Sequence, residues 1–501
     1  MKRSLEALHW DNSFARLPEA FYQRITPTAL PRPRLVAFNA DVAELLDLDP
    51  GDACRPELVA AFNGDVPLPG TAPLAAIYAG HQFGVWVPEL GDGRAILLGE
   101  VVNSRHQRWD VQIKGAGLTR FSRMGDGRAV LRSTVREYLA GEAMHGLGIP
   151  TTRSLAIIGS DAPVYRERVE TAALLVRIAP THVRFGSFEV FASRGQDALV
   201  RRLADYVIEQ YFPHLLALPE DERYLAWLGT VIDRTARLMA GWLSVGFAHG
   251  VMNTDNMSIV GVTLDYGPYG WMDAFDRGFI PNHSDPAGRY AFDQQPRVGL
   301  WNCARLAEAI LPLLGAAAPG TEAHQSVLAR LDAYRGVFEN EFDRLMRAKL
   351  GLTSVEADDP GLVADLLGVL HDSRADYHRF FRALSRYQPG IDSHESHREL
   401  HALVDRTDQL ADWLARYDAR LSREATGAAT RHERMLAVNP RYTLRNWMAQ
   451  EAITAAESGN FQPIEDLRRL LAAPFDEHPE FERYAGPPPA WASELEVSCS
   501  S

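Results

Sequence analysis

The sequence predicts an α+β fold in two lobes, from three observations. Between about 76 and 178, apolar β-type runs alternate with glycine turns, with one amphipathic helical stretch among them. From about 200 onward the apolar spacing turns helical. Within that second part, residues 247–290 are dense in Gly, Asn, Asp and Pro, a composition that marks functional loops more than packing.

Taken in order, residues 1–75 are proline-rich with short apolar clusters, Leu35 to Phe38 and Val42 to Leu48. They read as an N-terminal extension wrapping a larger body. The strand runs of the small lobe, 76–178, are Ala95 to Leu98, Val111 to Ile113, Leu155 to Ile158 and Leu174 to Val176. Leu131, Val135, Tyr138, Leu139 and Ala143 give the helix its apolar face, and Gly146, Gly148 and Pro150 stop it. The large lobe, 179–400, opens with amphipathic stretches at Leu203 to Phe212, ended by Pro213, and at Tyr224 to Leu243. Helical periodicity resumes at Trp301 and runs to about Leu471. Residues 401–501 form a helical C-terminal region whose tail, from Gly486-Pro487-Pro488-Pro489, reads as irregular and mobile.

Composition narrows the function classes. Of 501 residues, 46% are hydrophobic and 23% charged, as in a globular enzyme. A net charge of −13 argues against a nucleic-acid partner, which requires a basic footprint. No apolar run reaches the roughly 18 residues of a membrane span, and the start lacks a signal-peptide core. Cys54, Cys303 and Cys499 are too few and too scattered for a disulfide scaffold or zinc site, so a cytoplasmic location is expected.

The chemistry-bearing residues begin with His249-Gly250-Val251, Asp255-Asn256 and Asp265-Tyr266-Gly267. A protein kinase has His-Arg-Asp, an Asn five residues beyond that Asp, and then Asp-Phe-Gly. Here the His, the Asn and the final Asp-aromatic-Gly are in register, while Val251 stands where the kinase base would be. Valine accepts no proton. Asn256 and Asp265 offer hard oxygen ligands for Mg²⁺ held against phosphates, and Asp255 is the candidate proton acceptor. An Asx-turn cluster is the alternative reading of Asn253, Asp255 and Asn256.

Upstream lie the parts that a phosphate site needs. Gly91-Asp92-Gly93-Arg94 precedes a strand and recurs as Gly125-Asp126-Gly127-Arg128, reading either as hairpin turns or as loops approaching phosphates. Val111-Gln112-Ile113-Lys114 has the form of the kinase strand motif, with Glu137 on the following helix as the carboxylate that orients Lys114. Arg177 ends a buried strand and Arg184 follows it; a triphosphate tail or a structural carboxylate such as Glu189 would compensate them. Two clusters are weaker. His394, His397 and His401 share a helix face that imitates a metal site or is simply solvated, and Cys499 is either a redox-accessible thiol or incidental.

The chain resembles the selenoprotein O family of protein adenylyltransferases. The resemblance rests on Asn12-Ser13-Phe14 with Leu17 to Tyr22, on Tyr78-Ala79-Gly80-His81-Gln82-Phe83-Gly84, on Leu90 to Ala95, on His249 to Asn256, and on the ending Val497-Ser498-Cys499-Ser500-Ser501. It implies a protein-kinase-like bilobal fold in which ATP lies flipped, with the γ-phosphate buried and the α-phosphate facing an acceptor. AMP would pass to Ser, Thr or Tyr hydroxyls of proteins, releasing pyrophosphate. Gly91, Gly93, Arg94, Lys114, Asp126, Gly127, Arg177, Arg184 and Asp265 would bind nucleotide, Asn256 and Asp265 the metal, and Asp255 would take the proton. Selenocysteine members have that residue where Cys499 stands. UMP transfer with Mn²⁺ is an alternative within the family. Outside it stand a kinase-like phosphotransferase, against which Val251 argues, and a non-catalytic pseudokinase scaffold, against which the retained Lys114, Glu137, Asn256 and Asp265 argue.

Overall fold

The computed structural model describes residues 2–315, 318–389 and 395–498. Ten strands precede residue 180: β1 (Tyr22–Arg24), β2 (Arg34–Phe38), β3 (Leu74–Ala76), β4 (Gly80–Gln82), β5 (Val85–Val87), β6 (Ala95–Val102), β7 (Arg108–Lys114), β8 (Ala129–Val130), β9 (Arg153–Tyr165) and β10 (Val169–Ala179). The main sheet runs β1-β3-β6-β7-β10-β9-β2, with β8 added against β10. Every pairing in it is antiparallel. The first 75 residues therefore supply strands at both edges of this sheet, and β4 and β5 form a separate hairpin.

Side chains alternate across a strand, so each run feeds two cores. Ile96, Leu98, Val111, Ile113, Leu174 and Val176 pack with Leu46, Leu58 and Phe62 of the N-terminal segment. The opposite face, with Leu97, Ile157 and Leu175, meets Val135, Tyr138 and Leu139 of the helix Leu131–Gly146. Both faces are dry. Each such side chain contributes roughly 1.5–3 kcal/mol on burial, and a one-residue slip would exchange the two sets, so the register is strongly held.

Beyond β10 the chain is helical as expected. Asp197–Tyr211 stops before Pro213, and Glu220–Ser244 packs against Gln295–Ile310 and Glu322–Lys349. Another core gathers Phe275, Leu366, Phe380, Phe381, Trp413 and Tyr417. Helix Gln462–Ala472 returns to lie on Leu131–Gly146, burying Leu467, Leu470 and Leu471. Residues 247–290 contain the short strands β11 (Phe247–Ala248) and β12 (Gly270–Trp271), which pair and close a long loop, and a 3-10 turn at Thr254–Asn256. Among the described residues no helix is long and apolar enough to cross a membrane.

Candidate active site

Strand register builds the charged half of the site. Gln112 and Lys114 are two apart on β7 and share a face, and Arg177 on β10 lies opposite Gln112. That face looks toward the helix Leu131–Gly146, where Glu137 sits at mid-helix. Lys114 Nζ donates to Glu137 Oε2 at 2.5 Å, Arg177 Nε to Glu137 Oε1 at 2.6 Å, and Arg177 Nη1 to Gln112 Oε1 at 3.2 Å. Burial opposes charge on Glu137, but Arg177 and Lys114 outweigh it and hold the carboxyl below its usual range. Burial likewise pushes Lys114 down to about 8, with Glu137 offsetting part of the cost. The expected lysine–glutamate pair is present, and Arg177 makes it a triad.

The loop after β10 is anchored to the residue 247–290 region: Phe185 N donates to Met257 O at 2.9 Å, and Arg184 bridges to Ser258. Arg184 Nη1 donates to Asp265 Oδ2 at 2.5 Å and to the carbonyl of Asp255 at 2.7 Å, while its guanidinium stacks 4.5 Å from the Tyr78 ring. Arg177 Nη1 takes the other Asp265 oxygen at 2.9 Å. Burial alone would raise the Asp265 carboxyl; Arg184, Arg177 and Lys114 hold it far below the ordinary range. Asp265 occupies the left-handed region, with φ 57°, so the turn aims its carboxylate back at these cations. Glu189, the bland partner considered for the two arginines, instead receives His81 Nδ1 at 2.8 Å.

His249 links the two loop segments, with Nδ1 accepting from Val251 N at 3.4 Å and Nε2 donating to Leu264 O at 2.9 Å. Asn256 Nδ2 donates to Val251 O at 3.0 Å, and its Oδ1 takes no hydrogen bond among the described residues. Asp255 is 6% exposed. Its Oδ2 accepts from Gln82 Nε2 at 3.1 Å, and its Oδ1 is buried without a partner. Burial pushes this carboxyl up to about 7, with Gln82 and Arg184 only partly opposing. Glycine at position 80 is what admits it, because a Cβ there would stand 2.5 Å from Asp255 Oδ1.

The two Gly-Asp-Gly loops converge on the same cleft. Thr119 Oγ1 donates to Asp92 O at 2.7 Å and Ser122 Oγ to Gly93 O at 2.5 Å, tying one loop to the stretch that leads into the other. Gly91 has φ 126°, and a Cβ there would collide with the Phe121 ring at 2.5 Å. The cleft, about 650 Å³, is lined by Gly91, Gly93, Arg94, Lys114, Asp126 and Gly127 on one side. Arg177, Arg184, Val251, Asp255, Asn256 and Asp265 complete it. Every nucleotide, metal and proton-transfer residue singled out from sequence within the described residues lines this one cleft. Glu137 stands behind Lys114, and Cys499 lies outside the described residues, as does His394. Arg94 is exposed in the cleft, and among the described residues its guanidinium has neither hydrogen bond nor ion pair. Asp126 is already engaged: both oxygens receive Arg166 at 2.9 Å.

Sequence reasoning missed Gln82, Asp92 and Arg166. Gln82 lay within a motif noted for resemblance, yet nothing local linked it to Asp255, 173 residues away. Asp92 is buried, accepts Ala76 N at 3.0 Å, and is pushed upward by that burial. Arg166 sits where β9 turns into β10, a position with no sequence signal for a cleft.

The protein adenylyltransferase SelO family model matches residues 4–472. The chain is 56% identical to the protein nucleotidyltransferase YdiU of Thioalkalivibrio sulfidiphilus over 498 residues, covering 99% of both chains. It is 53% identical to that of Myxococcus xanthus, covering 99% of this chain and all of the other, and 51% identical to that of Thiobacillus denitrificans over the same shares. With a match over nearly the whole length, the chain belongs to the SelO family of protein adenylyltransferases and is a nucleotidyltransferase.

Proposed function

We propose that this chain transfers AMP from ATP to Ser, Thr or Tyr hydroxyls of proteins, on a protein-kinase-like scaffold and with ATP reversed relative to a kinase. The observation that supports this most directly is the buried, unpartnered Oδ1 of Asp255 beside Val251. A carboxyl near 7 is poised as a general base at neutral pH, and Val251 leaves no competitor at the kinase position.

The acceptor oxygen forms a bond to the α-phosphorus and its proton passes to the Asp255 carboxylate. The bond from the α-phosphorus to the α–β bridging oxygen breaks, and pyrophosphate leaves with that electron pair. Lys114, Arg94, Arg177 and Arg184 form a cationic pocket for the inner phosphates, and the backbone of Gly91, Gly93 and Gly127 allows close approach. For Arg177 and Arg184 to hold phosphate they release Asp265, whose carboxylate then becomes available. Asn256 Oδ1 and Asp265 suit Mg²⁺ or Mn²⁺: both are hard oxygen donors, one unpartnered and one fully ionised. Substrate phosphate oxygens would complete the shell of an ion held by these two residues. A bound metal would neutralise charge on the phosphates.

Incubation with ATP labelled at the α- or the γ-phosphate tests the reading. Label on protein from the α position alone, with a mass gain equal to AMP, is expected. Label from the γ position alone makes the chain a kinase despite Val251; ATP binding with no label from either favours a scaffold.

A further inference from the structure

A second cavity adjoins the proposed acceptor side of the cleft. It encloses about 610 Å³, and Ile280, Gly288, Arg289, Arg297, Val298 and Trp301 are among its lining residues. One structural turn separates it from the nucleotide cleft. Phe83 lines the cleft, and the next residue, Gly84, packs against Arg289 of the cavity wall: a Cβ on Gly84 would stand 2.9 Å from the Arg289 guanidinium carbon. That turn is left-handed at both residues, with φ 50° and 83°.

The turn is fastened to the catalytic loop at several points. His81 N donates to Thr254 Oγ1 at 2.8 Å, Gln82 to Asp255, and Phe83 N to Asn253 Oδ1 at 3.1 Å. Tyr290, next to Arg289, donates its hydroxyl to the same Asn253 oxygen at 2.7 Å. The cavity is thus held in fixed relation to Asp255.

Its chemistry is mixed apolar and cationic. Arg289 lies 4.8 Å from the Trp301 ring and 5.8 Å from the Tyr290 ring, and its Nε is buried with no hydrogen bond. It has no carboxylate partner among the described residues. Arg297 is exposed, and among the described residues its guanidinium has neither ion pair nor hydrogen bond. Asp293 is the single acidic residue of the lining, and its Oδ1 already accepts Gln294 Nε2 at 3.1 Å. Two guanidiniums with no carboxylate partner among the described residues, beside Trp301, Ile280 and Val298, match a polypeptide that presents a carboxylate next to an apolar side chain.

We propose that this cavity docks the acceptor protein, holding an extended segment with an Asp or Glu close to the hydroxyl that is modified. Arg289 and Arg297 receive the carboxylate, Trp301 and Ile280 the apolar neighbour, and the hydroxyl passes over the Phe83–Gly84 turn to Asp255. This assignment rests on the adenylyl-transfer reading above and adds an acceptor specificity to it.

The test uses the full chain, a fluorescein-labelled serine peptide flanked by aspartates, and the same peptide with lysines instead. Binding is followed by anisotropy, which needs no transfer, and AMP incorporation is followed separately from α-labelled ATP. The parent binds the acidic peptide preferentially. R297E, and independently R289Q, lowers acidic-peptide affinity and raises its KM about tenfold, as loss of one charge-assisted contact would. kcat and ATP affinity remain as in the parent, and R297E recovers binding with the lysine peptide. Equal binding of both peptides by the parent, or unaltered charge preference in R297E, overturns the proposal. A parallel loss of ATP affinity in both variants also overturns it, since the cavity would then serve the nucleotide. Charge-selective binding without any AMP incorporation would retain the docking site and sink the transfer reading instead.

Discussion

Asp255 combines two properties that act in the same direction: burial raises its carboxyl to about 7, and one oxygen lacks the hydrogen bond that would favour the charged form. In the proposed base role the ionised form is needed, so the transfer rate is expected to rise with pH through about 7 and level above it. Asp255→Asn removes that pH limb and lowers the rate by roughly 10²–10⁴, the usual contribution of general-base catalysis. For stability the sign is opposite. A carboxyl raised from 3.8 to about 7 contributes stability fully below its unfolded value and loses it as pH rises through the folded one. Asp255→Asn is therefore expected to be more stable than the parent at pH 8, by about 1–3 kcal/mol, with the difference closing near pH 4. Urea unfolding at both pH values checks this; a variant less stable at pH 8 would mean that Gln82 and Arg184 compensate the charge fully.

At the scale of elements, strand β7, strand β10 and the helix Leu131–Gly146 meet at one carboxylate. Glu137 holds Lys114 and Arg177 together, and all three are nearly inaccessible. Removing a charge from such a set strands its partners, which costs about 3–5 kcal/mol when one member of a buried pair is lost. Glu137→Gln is expected to lose that order of stability. Lys114→Met loses less, because Arg177 still satisfies Glu137. Both variants weaken ATP binding. Denaturant titrations with calorimetric ATP binding would distinguish them, and a larger stability loss in Lys114→Met would invert the assignment of Glu137 as the hub. Lys114 and Glu137 were legible in the sequence, since a strand-end lysine and a mid-helix glutamate are local patterns. The third member, Arg177, was legible only as an unexplained buried cation, because its counterions come from a helix 40 residues earlier and a loop 88 residues later.

Across the whole molecule, the C-terminal region supports the proposed nucleotide cleft from behind. Helix Gln462–Ala472 packs on the helix that presents Glu137, and Gly146 makes the approach possible: a Cβ there would stand 2.0 Å from Leu471 O. Alanine normally stabilises a helix interior over glycine by about 1 kcal/mol, yet Gly146→Ala is expected to destabilise, since backbone must move to admit the methyl. Leu471→Ala should cost about 2–5 kcal/mol through the cavity it leaves. Thermal unfolding of both, with ATP affinity at a temperature where they remain folded, checks the coupling; a Gly146→Ala protein more stable than the parent would show that the two helices are free to separate.

Local pattern in the sequence determined the α+β composition, the alternating strands, the helix after Lys114 and the inventory of cleft residues. Each depends on periodicity or on short fixed spacings, which a linear chain displays without folding. The Lys114–Glu137 pair and the register of Asn256 with Asp265 belong to that class. Tertiary structure alone decided which groups compensate which. Glu189 went to His81 and not to the arginines, Asp265 took both guanidiniums, and Asp126 took Arg166. It also decided that Gln82 holds one oxygen of Asp255 and leaves the other bare, and that the Phe83–Gly84 turn divides two cavities. The physical reason is range. Backbone propensity and side-chain alternation act over a few residues, whereas desolvation and charge pairing depend on distances between segments that only packing brings together.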